Sequence, residues 1–161
     1  MPLERKIFIN KKDTFGGLYG VFADSIPDGW GELLVRRMFL KHGINPDRLF
    51  PLTKLSLISG QGLGGLTYEP SQTETDDNIL IELDEISEEV KKILNDETDN
   101  KNLDTIYKLG GSSGGARPKV HIKIDGEDWI VKFLCHYDPE NIGEKEYKAN
   151  MLAKDCDLNV N

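Results

Sequence analysis

The chain has 161 residues, 38% of them hydrophobic and 30% charged, enough for one ordinary domain or two small ones with a genuine core. Its formal charge of −8, from 20 Lys plus Arg against 28 Asp plus Glu, argues against direct nucleic-acid binding, because a phosphate-facing surface must be basic. No apolar run approaches the roughly 18 residues of a membrane span. The start, Met1-Pro2-Leu3-Glu4-Arg5-Lys6, lacks the apolar core of a secretion signal, and Cys135 and Cys156 suit buried thiols in a reducing cytoplasm better than a disulfide scaffold.

In chain order, Pro27-Asp28-Gly29 forms a turn ahead of a helix over 28–42. Leu33, Leu34, Met38 and Leu40 fall near helical spacing there, and Gly43 stops it. Asn45-Pro46 offers a cap and first helical residue for a short segment toward Leu52. Gly60, Gly62, Gly64 and Gly65 interrupt any regular helix, Leu66-Thr67-Tyr68 is expected to run extended, and 71–78 is a polar, mobile connection. The acid is concentrated between Glu69 and Asp104, including Glu74, Asp76, Asp77, Glu82, Asp84, Glu85, Glu88 and Glu89, and reads as a solvated helix face with flexible flanks.

Leu83, Ile86, Val90 and Leu94 recur at three- and four-residue steps and predict an amphipathic helix over 83–94. Leu103, Ile106 and Tyr107 suggest one more short turn of helix. The period then changes to two. Val120, Ile122 and Ile124 alternate with polar residues, Asp125-Gly126 is a hairpin turn, and 128–134 is a second strand. A final helix covers 144–154. The expected fold class is α+β: a helical N-terminal region, then a glycine loop, a β-hairpin and a helix.

Between the two halves lies Leu109-Gly110-Gly111-Ser112-Ser113-Gly114-Gly115-Ala116-Arg117-Pro118-Lys119. Four glycines flank two serines, so backbone amides there can approach an anion without side-chain obstruction. The run is neither a Walker loop, since Ala116 stands where the lysine is required, nor a GxGxxG fingerprint. Glycine and serine alone would equally suit a linker. A linker, however, has no need of Arg117, Pro118 and Lys119 leading straight into a hairpin. Lys132 shares its strand face with Ile130 and Leu134, an apolar surface on which an ammonium is costly without an anion. An acid follows in the next helix, Glu146 first and Glu144 second. Glycine loop, strand lysine and helix glutamate is the order of a protein-kinase small lobe.

The run from Gly110 to Lys119, followed by Trp129-Ile130-Val131-Lys132-Phe133, resembles the signature of HipA-like serine/threonine kinases. Glu146-Tyr147, Leu152-Ala153-Lys154 and Leu158-Asn159-Val160 continue the likeness. Upstream, Gly20-Val21-Phe22-Ala23-Asp24-Ser25-Ile26-Pro27-Asp28-Gly29-Trp30-Gly31 is similar to that family's N-terminal region. The likeness covers most of 17–68 and 108–160 and implies an N-terminal region over 1–107 and the start of a kinase domain over 108–161. It implies ATP and Mg2+ as cofactors, a protein substrate of the translation machinery such as an aminoacyl-tRNA synthetase, and a cognate antitoxin as partner; the acidic charge and the lack of a long apolar run add the expectation that neither nucleic acid nor membrane is bound directly. By position, Gly114, Gly115, Ala116, Arg117, Pro118 and Lys119 would hold the ATP phosphates. Lys132 would contact the α- and β-phosphates, Glu146 would hold Lys132, and Ser112 falls where members carry an autophosphorylated serine. Arg117 and Pro118 vary within the family.

A kinase also needs a catalytic-loop aspartate and a metal-binding aspartate, and the sequence offers neither. His136-Tyr137-Asp138 with Asn141 echoes HRD…N, but the spacing is too short and it precedes the helix. No metal ligand is assigned. The chain stops near the point where the strand toward the hinge is expected, and family members carry a further β-rich segment before the region matching Pro2-Leu3-Glu4-Arg5. The expectation is therefore an enzyme part that is inactive by itself, with a non-catalytic nucleotide- or partner-binding module as the alternative.

Overall fold

The computed structural model describes residues 7, 9–10, 14–58, 65–69 and 82–160. Gly60, Gly62, Gly64 and the polar stretch 71–78 lie outside the described residues. In order come α1 (Gly20–Ala23), α2 (Gly29–Lys41), a 3-10 turn (Pro46–Arg48), α3 (Pro51–Ile58), α4 (Leu83–Leu94) and α5 (Leu103–Gly110). Then follow β1 (Lys119–Ile124), β2 (Glu127–Lys132) and α6 (Ile142–Asp155). The described residues thus form a small α+β fold. None of their helices is long and apolar enough to cross a membrane.

The core explains the order of the layers. Trp30 and Leu34 of α2, Ile86, Val90 and Ile93 of α4, Ile106 of α5 and Val120 of β1 are each at most 1% exposed and belong to one cluster. That cluster spans both sides of position 107. Full burial of an aliphatic side chain is worth about 1.5–3 kcal/mol, whereas an exposed ion pair such as Arg36–Asp47 is screened by solvent and contributes little. Burial therefore joins the layers. A smaller cluster of Leu18, Leu55 and Ile58 packs with Ile26 and Tyr68.

The hairpin follows from its turn. Asp125 and Gly126 both have positive φ, 54° and 84°, the type I′ geometry whose twist matches paired strands. Pairing is antiparallel with Lys119 opposite Lys132 and His121 opposite Ile130. Strand alternation then puts Lys119, His121, Ile130 and Lys132 on one face and Val120, Ile122 and Val131 on the other. The second face packs on the core.

Several expectations change here. Lys132 is on the open face, where Ile130 is 55% and Leu134 50% exposed, so no apolar surface penalises its ammonium. Glu89 belongs to the buried side of α4, and Leu83 is 41% exposed; the inward stripe is Ile86, Glu89, Val90 and Ile93. The Glu89 carboxylate accepts from the Asn102 N–H at 3.4 Å and has Lys92 Nζ at 3.7 Å, which makes its burial tolerable. Cys135 is buried but Cys156 is exposed. α1 and α3 were not foreseen, although Pro51 at the start of α3 suits a first helical turn. Residues 66–68 fall outside regular structure.

Candidate functional site

The glycine run is anchored before it becomes a loop. Gly110 is the last residue of α5, and a Cβ there would lie 2.6 Å from the Lys119 carbonyl oxygen and 3.2 Å from Trp30 Nε1. Trp30 grips the segment at two points. Its backbone N–H donates to the Gly115 carbonyl at 2.9 Å, and its indole N–H donates to the Lys119 carbonyl at 2.9 Å. Gly29 and Gly31 permit the approach: added Cβ atoms would fall 2.6 Å from Gly115 C and O and 2.3 Å from the Ser113 carbonyl oxygen. Asp28 closes the contact by accepting from the Gly115 N–H. The two stretches of sequence that carry the kinase resemblance therefore meet face to face.

Within the loop the two serines differ. Ser113 is 1% exposed, and its hydroxyl lies 3.2 Å from His121 Nε2. Burial, together with the charge of Lys119, lowers the pKa of His121. Ser112 is half-buried and lines a 410 Å³ cavity with Asp24, Asp28 and Gly114. Lys119 Nζ donates to the Gly114 carbonyl.

A second cavity of 430 Å³ opens between the end of β2 and the start of α6. Lys132 Nζ donates to Glu146 Oε2 at 3.2 Å, so the strand lysine and the helix glutamate do meet. Glu144 instead pairs with Lys148 at 2.5 Å along α6. Arg117 reaches the same place: its NH1 donates to Glu146 Oε1 at 3.2 Å and its NH2 to Asp138 Oδ1 at 2.7 Å. Glu146 therefore holds one cation on each oxygen.

Asp138, which the sequence offered only as a poor echo of a catalytic loop, has a side chain that is 2% exposed. Its Oδ2 accepts from the Cys135 thiol at 2.8 Å and from the Cys135 N–H at 3.2 Å. These bonds, led by that of the thiol and joined by the Arg117 charge, hold its pKa below the usual carboxylate value. Conversely, burial and then the bond to Asp138 push the Cys135 thiol up, which removes it from the class of reactive thiolates.

Two cations, Arg117 and Lys132, face four carboxylates, Asp138, Glu140, Glu144 and Glu146, around this cavity. The cations suit phosphate oxygens, but the balance is acidic, so a polyphosphate fits here only with counter-charge. Among the described residues no group of three or more His, Cys, Asp or Glu could hold a metal ion. Arg117 and Lys132 are of the charge that suits phosphate oxygens, and a divalent ion at this cavity would have to be held in part by those phosphates.

No protein-family model matches the chain, and no curated protein and no solved structure matches it either.

Sequence reasoning had missed Asp28 and Trp30 as holders of the loop and Arg117 as a sharer of Glu146. A signal for the first did exist. Two glycines around a tryptophan at a helix start weaken the helix by about 1 kcal/mol each and therefore ask for a close neighbour. Nothing in the local pattern announced the Arg117–Asp138 pair.

Proposed function

We propose that this chain is the N-terminal and ATP-binding portion of a HipA-like serine/threonine kinase. Lys132 and the glycine loop would receive the nucleotide phosphates. The observation that carries the reading is the Lys132–Glu146 pair, formed between the end of a strand and the next helix at 3.2 Å. The two side chains are 52% and 42% exposed, and such a pair contributes roughly 0–1 kcal/mol to folding. Its purpose is better sought in orienting an ammonium toward an anion. Lys119 stands directly opposite Lys132 in the ladder, where like charges are mildly unfavourable, and this adds to the case for an anionic ligand.

In this reading Glu146 orients Lys132, Arg117 supplies a second cation, and the ligand's own counter-ion offsets the surrounding carboxylates. The protein substrate would be a component of the translation machinery such as an aminoacyl-tRNA synthetase, and the regulating partner an antitoxin protein. Isothermal titration with Mg·ATP tests the reading. The wild-type chain should bind, Lys132→Met should bind at least tenfold more weakly, and both should unfold within about 1 kcal/mol of each other. Equal affinity in the Lys132→Met variant would refute the assignment. A non-catalytic partner-binding role is the second reading, favoured by the exposed apolar side chains of the last helix, with Tyr147 and Leu152 each 65% exposed.

A further inference from the structure

We propose that Asp28 is an internal competitor for the anion position of the glycine loop, so that a nucleotide phosphate binds at Gly115 only by displacing its carboxylate. The proposal rests on the nucleotide-binding reading and names the residue that sets the affinity of that site.

The geometry around Asp28 is unusual for its place in the fold. It is the residue ahead of α2, with extended backbone at φ −122° and ψ 171°. An aspartate at this position ordinarily turns its carboxylate onto the second or third amide of its own helix. Asp28 makes no such capping bond. Its Oδ1 instead accepts the Gly115 N–H from a segment 87 residues later. Gly115 lies at φ +84°, in the left-handed region that glycine adopts without penalty, and this turn presents the amide. A backbone N–H bonded to a carboxylate is a charge-assisted bond of the stronger kind. The loop therefore already holds an anion, supplied from within the chain.

The position is also a built one. Gly29, at φ +49°, leaves no room for a Cβ beside Gly115. Trp30 fixes Gly115 on its other side by donating its backbone N–H to the Gly115 carbonyl, in the next peptide unit, at 2.9 Å. A Cβ on Gly114 would come within 3.2 Å of Asp28 Oδ1, so the carboxylate covers the Gly114–Gly115 stretch that a phosphate oxygen would need. Lys119, bound to the Gly114 carbonyl, leaves a cation beside that stretch once the carboxylate withdraws. A phosphate group carries more negative charge than a carboxylate and offers more acceptor oxygens, so it is able to compete for the amide. A permanently structural Asp28 would give the opposite behaviour, because removing it would loosen the loop and weaken the ligand.

The test is a titration of the whole chain with sodium tripolyphosphate and, separately, Mg·ATP. The wild type is compared with Asp28→Asn and Asp28→Ser, both of which remain good residues ahead of a helix. Both variants should bind about tenfold more tightly, since one competing anion is gone. In wild-type protein the Gly115 amide resonance should shift on saturation with tripolyphosphate, a readout that does not depend on the variants folding. Unchanged or weaker binding in the folded variants overturns the competition and leaves the nucleotide reading standing, whereas a Gly115 resonance that stays in place while the wild type binds overturns the competition and the loop's part in that reading. No binding by wild type and variants alike overturns both.

Discussion

Gly31→Ala sets two physical effects against each other, and the structure decides which wins. Gly31 lies within α2, and in an open helix alanine is favoured over glycine by about 1 kcal/mol. Here the new Cβ would stand 2.3 Å from the Ser113 carbonyl oxygen, 2.8 Å from Pro27 Cβ and 2.9 Å from the Gly111 carbonyl oxygen. Two of the three neighbours are backbone, so relief requires the glycine loop to leave α2. Overpacking of this kind costs about 1–3 kcal/mol. Loss of the Trp30–Gly115 and Asp28–Gly115 hydrogen bonds adds about 0.5–1.5 kcal/mol for each bond. After the propensity gain is subtracted, the net loss should be about 1–5 kcal/mol. Urea unfolding followed by tryptophan fluorescence measures it directly. Gly143→Ala in α6 is the control, because nothing lies within 4 Å of its added Cβ; it should be neutral or slightly stabilising. A Gly31→Ala protein as stable as wild type would refute the docking of the loop on α2.

Two further outcomes follow from buried polar groups. Trp30→Phe keeps an aromatic ring in the core but removes the donor to the Lys119 carbonyl, and should cost about 1–3 kcal/mol in the same unfolding experiment. Tyr107 is 7% exposed and burial pushes its hydroxyl up to about 12 from an ordinary value of 10. Between those values the unfolded chain has released a proton that the folded chain retains, so stability falls as pH rises from about 10 to 12, by up to roughly 3 kcal/mol. Tyr107→Phe should flatten that part of the pH–stability curve.

Local pattern and contact geometry were legible in the sequence to different degrees. Helix 83–94 was given to the residue by its spacing, and the Asp125-Gly126 turn placed the hairpin within two residues at each end, because both signals are local. The meeting of Lys132 with Glu146 was legible through the order of elements. The burial of Glu89 was not, since its acceptor role depends on the Asn102 amide brought in from the next helix. Nor did alternation reveal which face of the hairpin is covered: it groups Lys132 with Ile130 and Leu134, but only packing shows that Val120, Ile122 and Val131 face the core. The docking of Asp28-Gly29-Trp30-Gly31 on 110–119 joins segments about 85 residues apart, and no window along the chain contains both.

The proposed function requires the glycine loop and the Lys132–Glu146 pair, which line two cavities, to receive the phosphates of one nucleotide. Its most direct test is a map of backbone amide shifts as Mg·ATP is titrated into the isotope-labelled chain. The account predicts saturable shifts concentrated at Gly114, Gly115, Lys119, Lys132 and Glu146, with α3 and α4 unmoved. Shifts confined to α3 or to the exposed face of α6, or none at saturating nucleotide, would contradict it.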